Sequence, residues 1–140
     1  MHENEISHAI IGAAIEVHRE VGPGLIEKPY EEAMCHELHL RGLGFVRQRA
    51  VPFRYKGALL STDLRTDLIV EDKGIVDLKA KVEGTAIDKL KVLTHLRLLH
   101  LRLGLVINFH GPVLKDGVFR VVNNLLERPP APEDPPALRS

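Results

Sequence analysis

The stretch Arg65-Thr66-Asp67-Leu68-Ile69-Val70-Glu71-Asp72-Lys73-Gly74-Ile75-Val76-Asp77-Leu78-Lys79 decides how this chain is read. Two runs rich in β-branched and apolar residues flank Asp-Lys-Gly, the pattern of a β-hairpin. A three-residue loop Asp72–Gly74, with glycine supplying the left-handed conformation at its last position, pairs Glu71 with Ile75. Counting back sets Ile69 opposite Asp77 and Asp67 opposite Lys79, and opposed residues project from one face. Asp67, Asp77 and Lys79 are then expected on a single patch. A two-residue loop would instead set Asp67 opposite Leu78 and scatter the charges over both faces.

Two carboxylates on adjacent strands suit a hard cation such as Mg²⁺ or Mn²⁺, which takes oxygen ligands and keeps several waters. A lysine beside that cation can orient or help deprotonate an attacking water while the metal neutralises a phosphate in the transition state. The plain alternative is an Asp67–Lys79 ion pair on a solvated sheet face, and spacing alone favours it.

Outward from the hairpin, the periodicity predicts an α/β domain. Ile6, Ile10, Ala13/Ala14, Val17 and Val21 recur at helical spacing and stop at Gly22-Pro23-Gly24. Tyr30, Ala33, Met34 and Leu38 form a second helical stripe, with Pro29 in its first turn, Gly42 beyond its end and Glu27 at its start. Residues 45–80 read as three or four antiparallel strands, broken at Lys56-Gly57 and at 72–74. Thr85 and Asp88 open a third, Leu-rich helix running to about Leu99. Leu103–Phe109 reads as a strand covered on both faces, and Val118–Val122 as a last short strand. The order is neither a regular βαβ alternation nor all-β, and a mixed sheet flanked by helices fits it. The Pro-rich run 128–140 cannot bury a core and is expected to be a disordered tail behind a domain of residues 1–127.

Composition narrows the function classes. Trp is absent and aromatics make up 4% of the chain, which leaves little for the stacking platforms of single-strand binders. Cys35 is the one cysteine, so an internal disulfide and a multi-thiolate zinc site are both excluded. No apolar run is long enough to span a bilayer, and the first residues lack a basic leader, so a cytoplasmic protein is expected. The charges cancel overall but not locally. Residues 1–40 carry two basic side chains against eight acidic ones, and residues 41–102 carry thirteen against seven. The basic middle can contact phosphate, or it can simply pair with the acidic helices.

The run Gly24-Leu25-Ile26-Glu27-Lys28-Pro29-Tyr30 resembles the GxxExxY signature of a bacterial family assigned to the PD-(D/E)XK nuclease superfamily. Residues 4–20, the R-x-D…D-x-K pattern of 65–79 and Leu101–Phe109 look like further family segments in family order, and the likeness covers roughly residues 4–124. It implies a restriction-endonuclease-like core with the metal site at the sheet. Asp67, Asp77 and the Leu78 carbonyl would then be metal ligands. Lys79 would position water, and Glu27, brought in by the second helix, would be a further acidic group at the metal, bound to it directly or through water. Glu27 also fits as plain dipole complementation at a helix start. Where the family usually has a glutamine and a tyrosine four residues apart, this chain has Lys91 and His95; where it often has histidine, it has Asp88. Those three still share one helix face, and Lys91 can hold phosphate as a point charge.

The leading expectation is therefore Mg²⁺- or Mn²⁺-dependent hydrolysis of nucleic acid, with DNA the favoured substrate and Arg47, Arg49, Arg54, Lys56 and Lys91 as backbone contacts. A non-catalytic member of the fold, binding nucleic acid or a protein, is the alternative. A structural, oligomer-forming protein is a third reading.

Overall fold

The computed structural model describes residues 1–124, so the expected Pro-rich tail lies outside the described residues. Two helices come first, α1 (Glu3–Val21) and α2 (Glu27–Leu40). His2 caps α1 in a reciprocal box with Glu5, which satisfies two otherwise orphaned amides. A five-stranded sheet follows with order β1-β4-β5-β6-β7, where β1 is Phe45–Ala50, β4 Arg65–Val70, β5 Gly74–Lys79, β6 Leu103–Asn108 and β7 Val118–Val122. Only β5 and β6 run parallel, joined by α3 (Ala86–Leu99); the other neighbours are antiparallel. This is a mixed sheet flanked by helices, consistent with the restriction-endonuclease-like fold.

The two faces bury different sets of side chains. Leu68, Val70, Val76, Leu78, Leu105 and Ile107 pack with Ile6, Ile10, Met34 and Leu38 under α1 and α2. Ile69, Ile75 and Val106 pack with Val92 and Leu96 under α3. The period-2 alternation of β4 and β5 is thus real but double-sided, because both faces are covered. Gly104 lies where any Cβ would collide with Val92, so its bare backbone lets α3 sit close on β5 and β6.

Residues 53–60 form a separate antiparallel hairpin of β2 (Phe53–Tyr55) and β3 (Ala58–Leu60), so residues 45–80 hold five strands where three or four were expected. Lys56 and Gly57 both take positive φ, 49° and 84°, as a two-residue hairpin turn requires.

The register of the central hairpin also differs. The observed pairs are Leu68↔Val76, Ile69↔Ile75 and Val70↔Gly74, so the three-residue loop is Glu71–Lys73 rather than Asp72–Gly74. The expected pairings Glu71–Ile75, Ile69–Asp77 and Asp67–Lys79 are therefore incorrect, and Asp67 falls level with Asp77. The cause is visible at both ends of the loop. Glu71 and Asp72 take the left-handed conformation (φ 53° and 59°), while Glu71 exchanges hydrogen bonds with Gly44, amide to carbonyl at 2.8 Å and carboxylate from amide at 2.6 Å. Gly74 is needed for space instead: a Cβ there would press on Ile6 and Ile10 at 3.3 Å. The displacement is two residues, so side-chain parity is unchanged. Leu78 still points into the α1/α2 core and Asp77 to the α3 side.

Candidate active site

At the end of the sheet where β4 begins and β5 finishes, the β4–β5 ladder stops at Leu68–Val76. Beyond that point the Asp67 carboxylate takes over the ladder's role, accepting the Leu78 amide at 2.8 Å. The Lys79 carbonyl accepts from Phe109 on the β6 side, so by strand alternation the Leu78 carbonyl is directed toward β4, into the same opening as Asp67.

Asp77 is 3% exposed, and one of its carboxylate oxygens, Oδ2, has no hydrogen-bond partner among the described residues. Its Oδ1 faces two ammonium groups, Lys91 Nζ at 3.4 Å and Lys79 Nζ at 3.6 Å. Burial, aided by the neighbouring Asp67 carboxylate, pushes the Asp77 carboxyl up to about 6 against the pull of Lys91 and Lys79. Desolvation works against the Lys79 ammonium, yet Asp77, Glu27, Asp67 and Asp88 together outweigh it and raise its pKa. Lys79 is accordingly a charged donor, suited to holding a water or a phosphate oxygen.

Glu27, in the first turn of α2, comes within 3.9 Å of Lys79 Nζ but is half exposed. Tyr30 explains how it is placed. Its fully buried ring stacks on Phe109 at 4.4 Å between centroids, and its hydroxyl donates to Gly22 O at 2.6 Å and accepts from the Leu25 amide at 3.3 Å. The tyrosine thereby closes the Gly22–Leu25 turn that leads into Glu27. Tyr30→Phe is expected to cost about 1–2 kcal/mol of stability, seen as a lower denaturation midpoint, because two partners are left unsatisfied.

Asp88 and Lys81 also belong to this cluster, although the hairpin reading did not include them. Asp88 is 7% exposed, with Lys81 Nζ 2.5 Å from its Oδ2 outside hydrogen-bond geometry and Lys79 3.9 Å from its Oδ1. The Asp88–Lys91–His95 stripe signalled the helix face. Nothing in the sequence signalled Lys81. His95 is buried at the same face, and burial followed by the Lys91 charge lowers its pKa, favouring the neutral imidazole.

The basic residues expected to hold nucleic acid divide. Arg47 is occupied internally, with bonds of 2.8 Å to Glu31 and 2.6 Å to Glu32 that raise its pKa, Glu32 being the larger influence. Arg49, Arg54 and Lys56 are exposed, at or beyond the end of β1 that pairs with the start of β4, which is the site's end of the sheet. A cavity of about 140 Å³ lies elsewhere, lined by His2, Glu3, Arg102 and Arg120. It sits where β6 begins, whereas the Asp67–Asp77–Lys79 cluster sits where β6 ends.

Among the described residues no three His, Cys, Asp or Glu side chains converge as a ready metal cage. A hard divalent cation that keeps its waters needs only one or two carboxylates. Asp67, the unpartnered Oδ2 of Asp77 and the Leu78 carbonyl fit that requirement. No helix is long and apolar enough to cross a membrane among the described residues.

No curated protein and no solved structure matches the chain. The family model of the PD-(D/E)XK nuclease superfamily matches residues 4–121, from α1 to the last strand. With the D-x-K of residues 77–79 at the end of the central strand and a second aspartate level with it, this chain belongs to the PD-(D/E)XK nuclease superfamily.

Proposed function

We propose that the protein is a Mg²⁺- or Mn²⁺-dependent phosphodiesterase acting on nucleic acid, with DNA as the favoured substrate. The observation that carries this reading is the buried, unpartnered Oδ2 of Asp77 beside Asp67, with Lys79 alongside. Asp67, Asp77 and the Leu78 carbonyl would hold the cation, which when bound supplies charge neutralisation at the phosphate and acidifies water. Lys79 holds the attacking water through its ammonium, and Glu27 keeps that ammonium oriented and charged. Arg49, Arg54 and Lys56 supply backbone contacts along the same end of the sheet. We assign the chain to the GxxExxY group on its 24–30 motif, and to the cytoplasm, where a buried thiol such as Cys35 stays reduced. The test is cleavage of single- and double-stranded DNA and RNA with Mg²⁺, Mn²⁺ or Ca²⁺. Hydrolysis that needs the cation and is abolished by chelation is expected; inactivity on every combination contradicts the reading.

One observation favours a second reading. Lys79 and Lys91 both reach Asp77 Oδ1 and supply positive charge where a cation otherwise would. A site neutralised in this way suits a non-catalytic module that grips phosphate. Lys91→Gln separates the two readings. If Lys91 competes with the metal, the variant binds Mn²⁺ roughly ten-fold more tightly, about 1.4 kcal/mol, and its activity rises. If Lys91 is a phosphate contact, nucleic-acid affinity falls and its salt dependence becomes shallower.

A further inference from the structure

Adjacent residues of a β-strand point to opposite faces, yet Arg47 and Gln48 of β1 both bond to the same carboxylate. Glu31 of α2, 7% exposed, accepts from Arg47 on Oε2 at 2.8 Å and from Gln48 Nε2 on Oε1 at 3.1 Å. The geometry is possible because Gln48 has left-handed backbone, φ 49°. For a residue that is not glycine this conformation costs roughly 1–2 kcal/mol.

The place of this distortion matters. The β1–β4 ladder runs Arg47↔Leu68 and resumes at Arg49↔Thr66, omitting the one pair in between, Gln48 with Asp67. Opposed residues share a face, so in a regular strand the Gln48 side chain would lie beside the Asp67 carboxylate. Instead it is turned away to Glu31, and its carbonyl accepts from Arg65 Nη1 at 3.0 Å. Glu31 stands one helical turn after Glu27 on α2, so the same bond ties Glu27's helix to the sheet at the site.

We propose that Gln48 is a positioning residue for the metal and phosphate site: its left-handed backbone, locked by Glu31, keeps the β1 side of Asp67 clear for a ligand. This rests on the metal-dependent reading above. The discriminating substitutions act on the backbone. Gln48→Gly adopts the same φ freely, whereas Gln48→Val, β-branched, strongly disfavours it. With Mn²⁺ alone as the probe, titrated calorimetrically into the full chain, Gln48→Gly should stay within about three-fold of wild type. Gln48→Val should lose roughly ten-fold or more in affinity, the scale of an outer-shell defect. Glu31→Gln, which keeps the shape but removes the charge, should lie between them. Thermal melts run alongside separate folding from positioning: a merely structural role lowers the melting temperature of Gln48→Val without moving its Mn²⁺ affinity, and that result overturns the proposal. Wild-type protein that binds no Mn²⁺ removes the metal reading and this inference together. Wild-type binding with equal affinity in Gln48→Val removes the inference alone.

Discussion

Lys79→Ala is expected to slow single-turnover cleavage by roughly 10²-fold or more, the scale of a lost electrostatic or acid–base group. Nucleic-acid affinity should stay within about three-fold if Arg49, Arg54 and Lys56 supply the backbone contacts, as proposed. The split follows from placement. Lys79 is largely buried among Asp77, Glu27 and Asp88, at 3.6–3.9 Å from each, and its raised pKa keeps it a donor at neutral pH. An ammonium in that position acts where charge develops and adds little to the approach of a long polyanion. If Lys79 merely balanced its carboxylates, the substitution would alter stability and leave any turnover where it was. Filter binding and single-turnover kinetics on the same preparation distinguish the outcomes.

Asp77→Asn is expected to stabilise the metal-free protein at neutral pH while abolishing metal binding. The Asp77 carboxyl is raised from 3.8 to about 6, so the native state binds its proton more tightly than the unfolded state does. Ionising it therefore costs stability as pH rises from about 4 through about 6, and the full cost is present above that range. A rise of that size corresponds to about 2–3 kcal/mol at most. Denaturant melts of the metal-free wild type should accordingly weaken between pH 4 and pH 6, and those of Asp77→Asn should be flatter. Saturating Mn²⁺ should stabilise the wild type and leave the variant unmoved, because a ligand stabilises only the state that binds it. A variant less stable than wild type at neutral pH would mean that the Lys79 and Lys91 contacts outweigh the burial of the charge.

Much of this arrangement was legible in the sequence, and the parts that were not have physical causes. Helical periodicity placed α1 and α2, because apolar stripes at that spacing have few other uses, whereas α3 was placed by Thr85 and Asp88 at its start and its Leu-rich run. Gly74 misled the register because glycine serves two purposes, positive φ and close approach, and sequence does not tell them apart. The expected loop used the first purpose; Ile6 and Ile10 require the second. Parity survived because the displacement was two residues. Arg47 read as a phosphate contact by its charge, but its partners Glu31 and Glu32 lie fifteen or sixteen residues earlier on α2, a pairing visible only once α2 is laid across β1. Lys81, like the left-handed Gln48, left no trace in the pattern, since nothing in a strand-like sequence marks where a ladder will break.

On the proposed reading, Asp67 and Asp77 hold one divalent cation at the end of β4 and β5. Calorimetric titration of Mn²⁺ into the metal-free wild type and into Asp77→Asn tests it most directly. One saturable site per chain is expected in the wild type and no measurable binding in the variant. Equal Mn²⁺ affinity in the two proteins would contradict it.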